Sequence, residues 1–192
     1  MNWDLYWKRA SGKEPPRLYD RVARFYRNQV ISRAAASVLS RHFLNASDRH
    51  YLHAGCGSGG SDRRIPLDRP WFHYLDLSPA ALRLSRSQPL PLKRWYVCGN
   101  ILSLPYTGES LDGIFNFGVM EHFPEAGINR ILSEFHRVLK PTGQLILFWP
   151  PEFGLSVITL NTTLALVKRF RKRPVIWYPD EMSRIRSFSW VR

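Results

Sequence analysis

The residues best placed to do chemistry begin at 51-YLHAGCGSGGSDRR-64, where four glycines fall within six residues directly after a short apolar run. Glycines in that setting let a backbone approach a ligand closely and aim its N–H groups at it. Two spacings coexist, Gly55-Gly57-Gly59 and Gly55-Gly57-Gly60, and the second is that of a dinucleotide loop. Three polar candidates come at comparable points: Asp76 after 71-WFHYL-75, Asn100 after 94-RWYVC-98, and Asn116-Phe117-Gly118 at the close of 111-LDGIFNFG-118. An ionised Asp76 can accept from both hydroxyls of a ribose at once. It can also cap the helix that Ser78-Pro79 opens. Cys56 and Cys98 are too few for a disulfide framework or a metal set, and both read as small buried groups.

The elements that must position these residues alternate. Residues 17 to 46 read as one or two helices, with Leu18, Val22, Phe25, Ile31, Val38 and Leu39 on the apolar side and Ala34-Ala35-Ala36 of high helix propensity. Strands are expected at 50–54, 71–76, 94–98 and 111–117. The helix after the fourth is marked by Ile128, Ile131, Leu132, Phe135 and Val138. Pro141 and Gly143 read as its stop signals, and 144–149 as a fifth strand. Strands alternating with helices predict an α/β fold, a parallel sheet covered on both faces. In such a sheet ligands lie beyond the carboxyl ends of the strands, the edge that all the polar candidates share.

A pyrophosphate would want a helix running straight out of the glycine loop. The next stretch, 61-SDRRIPLDRP-70, is polar and interrupted by Pro66 and Pro70, so any helix there is short. Arg63 and Arg64 keep phosphate contact open. No Gly-Lys-Ser/Thr comes after the glycines, which excludes a Walker loop. The formal charge of +13, from 28 basic and 15 acidic side chains, favours anionic partners without choosing among nucleic acid, membrane and metabolite. Part of the excess is local, five basic residues in 168-KRFRKR-173.

Four segments carry a resemblance: 52-LHAGCGSGG-60, 74-YLDLS-78, 99-GNILSLPYTGESLDGIFNFGVMEHF-123 and 138-VLKPTGQLILFWP-150. In order and spacing they resemble class I S-adenosylmethionine-dependent methyltransferases, of the broad small-molecule group called type 11. The resemblance implies a three-layer, Rossmann-like sheet and S-adenosylmethionine as cofactor. It implies that Gly55, Gly57 and Gly59 pass beneath the methionine part and that Asp76 holds the ribose, with Leu77 against the adenine. Asn100 would meet the adenine amino edge, Ile101 flank the ring, and Asn116, Phe117 and Gly118 lie near the sulfonium. The chain departs from the pattern at His53, where the family carries an acid that orients the loop and the cofactor's amino end. It also stops at 186-RSFSWVR-192, so the sheet is expected to lack the family's last two strands, as a fragment or as an abbreviated domain.

The chain divides into three segments: 1–49 helical, 50–150 the cofactor-binding α/β core, and 151–192 a lid or packing helix with the basic run. If the acceptor arrives protonated, His122 is the candidate base and Glu121 its orienting partner. The other reading of that pair is a cap or brace for the next helix. Tyr19 and Tyr26, seven apart, share a helix face and are a second candidate set. Neither cysteine has the Pro-Cys setting of a cytosine-C5 nucleophile, and Asn116-Phe117-Gly118-Val119 is not the Asn-Pro-Pro-Tyr of an adenine-N6 enzyme. The apolar run 153–167 is too short to span a bilayer. It can line a pocket for a partly apolar small-molecule acceptor, pack on the sheet, or with 168–173 touch an anionic membrane surface. An RNA methyltransferase and a non-catalytic interaction module stand as the other readings. The N-terminus lacks the apolar core and cleavage site of a signal peptide, and the cysteine usage suits a reducing cytoplasm.

Overall fold

A computed structural model describes residues 3–10, 25 and 27–149. Tyr19 and Tyr26, the apolar run 153–167, the basic run 168–173 and the final stretch lie outside the described residues.

The elements are α1 (Trp3–Ala10), α2 (Ser32–His42), β1 (His50–Ala54), β2 (Trp71–Asp76), α3 (Pro79–Arg86), β3 (Lys93–Cys98), β4 (Leu111–Phe117), α4 (Glu125–Val138) and β5 (Leu139–Phe148). A π turn (Arg27–Ile31) leads into α2, and short 3-10 turns lie at Gly60–Arg64 and Met120–His122. The described strands form one sheet in the order β3-β2-β1-β4-β5, and every pairing is parallel. The family's last two strands are not among the described elements.

The central strands β1, β2 and β4 are buried on both faces, which is why they read as apolar runs. On one face Leu52, Leu75 and Ile114 pack under Ile128, Ile131, Phe135 and Val138 of α4. On the other, Tyr51, Phe72, Tyr74 and Phe115 meet Leu39 of α2, Phe43, and Ile65 and Leu67 of the loop before β2. α2 ends at Phe43, whose ring stacks on Tyr51 at 4.1 Å. α3 starts as expected, with Ser78 as N-cap and Pro79 in the first turn.

Two expectations need correction. β5 begins at Leu139 and not at Gln144, because Leu139 pairs with Leu111 and Gly113 pairs next with Gln144. Pro141 and Gly143 sit in that register shift, where a missing N–H costs least. Cys98 is exposed and only Cys56 is buried. β3 is an edge strand, and among the described residues no further strand covers its outer side.

The amino edge holds a histidine pair, with His50 Nδ1 3.0 Å from His73 Nε2. His73 is buried, and burial, with His50 beside it, pushes its pKa down to about 4. An unfolded histidine takes up its proton near pH ~6.5. Stability from this group is therefore complete above about pH 6.5 and is lost as pH falls towards about 4. Thermal unfolding across that window is expected to show a decline worth about 2–3 kcal/mol, and His73→Leu to flatten it. An unaltered slope in the variant would assign the decline to other groups.

Candidate functional site

The strand order reverses between β1 and β4, and the loops leaving these strands open the crevice where α/β sheets bind ligands. The glycine loop leaves β1 there. Its first turn is tied to β2, with Gly55 N and Cys56 N both donating to Leu75 O at 2.8 and 3.0 Å. Gly55, Gly57 and Gly59 all take positive φ, a conformation that side chains resist. At Gly57 space is lacking as well, since a Cβ would stand 2.7 Å from the Trp7 ring. A five-residue 3-10 turn succeeds the loop in place of a long helix. Arg63 is spent on Gln88, and Arg64 on Asn28 O and Gln29. The dinucleotide reading thus loses both its helix terminus and its phosphate arms.

Asp76 ends β2 beside this loop and is 8% exposed. Its Oδ2 accepts from Gly57 N at 2.8 Å and its Oδ1 from Ser78 N at 2.8 Å. Burial pushes its carboxyl above the ordinary carboxylate range, while the N–H groups of Ser78 and Gly57 oppose the shift. Each oxygen keeps a second lone pair for an incoming hydroxyl. Asp76 is not the cap of α3, a role that falls to Ser78; it braces the capping residue through Ser78 N and still has acceptor capacity. Leu77 next to it is exposed, an apolar surface at the mouth. Asn100 is exposed after β3, with its Oδ1 accepting from Leu102 N at 3.0 Å. Ile101 is 7% exposed and packs into the core beneath α4, so little of it faces the mouth.

His53 meets a partner that sequence analysis missed. Its Nδ1 lies 2.9 Å from Asp62 Oδ2, and the Tyr74 hydroxyl donates to the same oxygen. All three side chains are buried, and the His53 ring stacks on Phe115 at 4.4 Å. The carboxylate absent at position 53 thus arrives from the 3-10 turn. His53 Nε2 and Asp62 Oδ1 are buried without a hydrogen-bond partner among the described residues. Burial and the carboxylates of Asp76 and Asp62 hold the Cys56 thiol protonated, which removes it as a nucleophile.

β4 delivers the remaining candidates. Asn116 is fully buried, and neither its amide nitrogen nor its oxygen has a hydrogen-bond partner among the described residues. A buried amide left so costs about 1–3 kcal/mol per group. Phe117 is partly buried with its ring 4.7 Å from Phe148, and Gly118 turns the chain at φ +64°. Glu121 is buried under this turn, with Oε1 2.9 Å from where a Gly118 Cβ would stand. His122 is partly exposed. The N-cap position of α4 is Pro124, which makes no side-chain bond of its own.

α1 falls in the segment expected to be helical, but its contacts with the site were not foreseen. Trp7 lies on Gly57, and Trp3 meets the His122 ring edge-on at 4.9 Å. Asp4 Oδ1 accepts from Ser78 Oγ at 2.8 Å. One eight-residue helix therefore touches the glycine loop, the start of α3 and the candidate base. Its signal was legible in Trp3, Tyr6 and Trp7 at helical spacing and Asp4 four before Lys8.

Residues 52–147 match a family described as a methyltransferase domain, of type 11. The chain is 32% identical over 151 residues to malonyl-[acyl-carrier protein] O-methyltransferase of Laribacter hongkongensis, covering 72% of this chain and 48% of that protein. It is 29% identical over 161 residues to demethylmenaquinone methyltransferase of Symbiobacterium thermophilum, covering 71% and 63%. It thus spans less than two thirds of either relative. Magnesium protoporphyrin IX methyltransferase from Synechocystis PCC 6803, solved with bound S-adenosylhomocysteine, superposes with a TM-score of 0.60 at 16% identity over 83% of this chain and 72% of that one. That likeness is one of fold. With the family match running from β1 through β5, the chain belongs to the type 11 methyltransferase-domain family of the class I, S-adenosylmethionine-dependent methyltransferases.

Proposed function

We propose that this chain binds S-adenosylmethionine and transfers its methyl group to a small, partly apolar metabolite. The observation that carries the reading is Asp76, buried at the β1/β2 carboxyl edge with one lone pair spent on each oxygen and one left for each ribose hydroxyl. The site residues fit the cofactor. Asn116 offers a buried donor and acceptor without partners among the described residues, the turn at Gly57 adds no side chain of its own between the backbone and a ligand, and Leu77 presents apolar surface beside Asp76.

When bound, S-adenosylmethionine supplies an electrophilic methyl group on a sulfonium, so the protein's work is mainly to position and to exclude water. The glycine loop and Asp76 fix one end of the cofactor. Trp3 and Trp7 shield the mouth from solvent. His122 Nδ1 or Nε2 takes a proton from an acceptor that arrives protonated. The α1 rings favour an acceptor with apolar surface, gaining roughly 25 cal/mol per Å² buried. The names of the relatives agree in kind, since one acts on a malonyl-acyl-carrier protein and the other on demethylmenaquinone.

Incubation with methyl-labelled S-adenosylmethionine and separate pools of acyl thioesters, lipid quinones and RNA tests the proposal. Label is expected in an acyl or quinone pool. Label confined to RNA would overturn the acceptor class, and label in no pool while the cofactor binds would leave a binding module.

A further inference from the structure

The first turn of α3 is completed from outside the helix. Ser78 Oγ accepts from Ala81 N at 3.3 Å, as an N-cap does, and its own proton goes to Asp4 Oδ1 at 2.8 Å. The same Asp4 oxygen accepts from Ala80 N at 3.3 Å, one of the donors that a helix start leaves without an internal partner. Ser78 N meanwhile donates to Asp76 Oδ1. Ser78 therefore stands between the carboxylate that faces the cofactor site and a second carboxylate on α1. Lys8 pairs with the other oxygen of Asp4 at 2.7 Å. The Lys8 ammonium and the Ser78 hydroxyl hold the Asp4 pKa at about 2, so this contact stays ionised across the neutral range and is lost only as pH falls through about 2.

Beyond Asp4, α1 reaches across the mouth. Trp7 covers the backbone at Gly57, and Trp3 lies edge-on to His122. Tyr6 bridges the two tryptophans, with ring centroids 6.0 Å from Trp3 and 5.1 Å from Trp7. An isolated helix of eight residues does not hold itself together in water. Its stability must come from what it docks against, and Asp4 supplies two hydrogen bonds of that docking.

We propose that Asp4 is a positioning residue: its hydrogen bonds to Ser78 and Ala80 latch α1 across the mouth, so that Trp3 and Trp7 close over bound cofactor and cofactor leaves only when the latch opens. The closing role rests on the cofactor reading above, whereas the latch itself does not. Because Ser78 also donates to Asp76, the latch and the ribose carboxylate share one residue, and a cofactor that orders Asp76 steadies the latch.

Two variants of the full chain test this. Asp4→Ala removes the acceptor. Asp4→Asn removes the charge and the Lys8 pair but keeps an oxygen that can accept from Ser78 and Ala80, and Asn caps helices about as well as Asp. Hydrogen exchange without ligand is expected to speed about fivefold to tenfold at residues 7–10 and at Ala80 in Asp4→Ala, with β1 and β4 amides at the wild-type rate. Asp4→Asn is expected to stay within about twofold of wild type. Dissociation of S-adenosylhomocysteine, monitored by stopped flow, is expected to accelerate about tenfold in Asp4→Ala and little in Asp4→Asn. Wild-type exchange at residues 7–10 and 80 in Asp4→Ala would overturn the latch. Altered exchange with unaltered dissociation would overturn its closing role. A wild-type chain that binds no S-adenosylhomocysteine would sink the cofactor reading, while the exchange rates would still decide the latch.

Discussion

Replacing Asp76 with alanine is expected to weaken S-adenosylhomocysteine binding by about 100-fold or more. A hydrogen bond to a charged group is worth about 1.5–3 kcal/mol, and the ribose offers two hydroxyls to one carboxylate. The same substitution takes the acceptors from Gly57 N and Ser78 N, both at 2.8 Å, so the loop loses the bond that fixes its second glycine. Asp76→Asn keeps the shape and one acceptor. It is expected to recover the fold more fully than the affinity, because an amide cannot accept at both positions. Titration calorimetry reads the affinity, and thermal unfolding separates it from damage to the loop. An Asp76→Ala protein that binds as tightly as wild type would remove Asp76 from the site. Since burial raises the Asp76 carboxyl above the ordinary range, wild-type affinity is also expected to fall as pH drops and the carboxylate is protonated.

Asp62→Ala is expected to destabilise the chain by about 3–5 kcal/mol, or roughly 10 °C in the unfolding midpoint. Asp62 is fully buried and serves both His53 and Tyr74. Its loss leaves two buried donors without an acceptor, and each such group costs about 1–3 kcal/mol. Removing all the polar partners together is a different matter. The triple variant His53→Phe, Asp62→Leu, Tyr74→Phe replaces the network by apolar groups of similar size and is expected to recover most of the loss. A single Asp62→Ala loss below about 1 kcal/mol would mean that the network carries little of the loop's stability.

The parallel core was legible because its central strands are buried on both faces. Tyr51, Leu52, Phe72, Tyr74, Leu75, Ile114 and Phe115 form apolar runs bounded by glycine or proline, and such runs have few other homes. Asp76 and the glycines were legible because each lies where a strand ends, and the carboxyl edge gathers the residues just past the strands. The limit of β5 was not, since a proline two residues past a helix reads as a stop. Only pairing with β4 shows Leu139 already in the ladder. Cys98 was misjudged because alternation along a strand does not say which strand is at the edge. Asp62 stayed hidden because its partnership with His53 spans nine residues of irregular chain and depends on Tyr74 arriving from β2. α1 carried a local signal in its aromatic spacing, but its function comes from Asp4 meeting Ser78 across 74 residues, a pairing that no periodicity announces.

The central claim is that the β1/β4 crevice of this chain holds the adenosyl cofactor, and titration calorimetry of the full chain with S-adenosylhomocysteine tests it most directly. One-to-one binding is expected, with no comparable heat from NAD or NADP, since the loop runs into a 3-10 turn and both arginines of that turn are engaged elsewhere. Tight NAD binding with no response to S-adenosylhomocysteine or S-adenosylmethionine would contradict it.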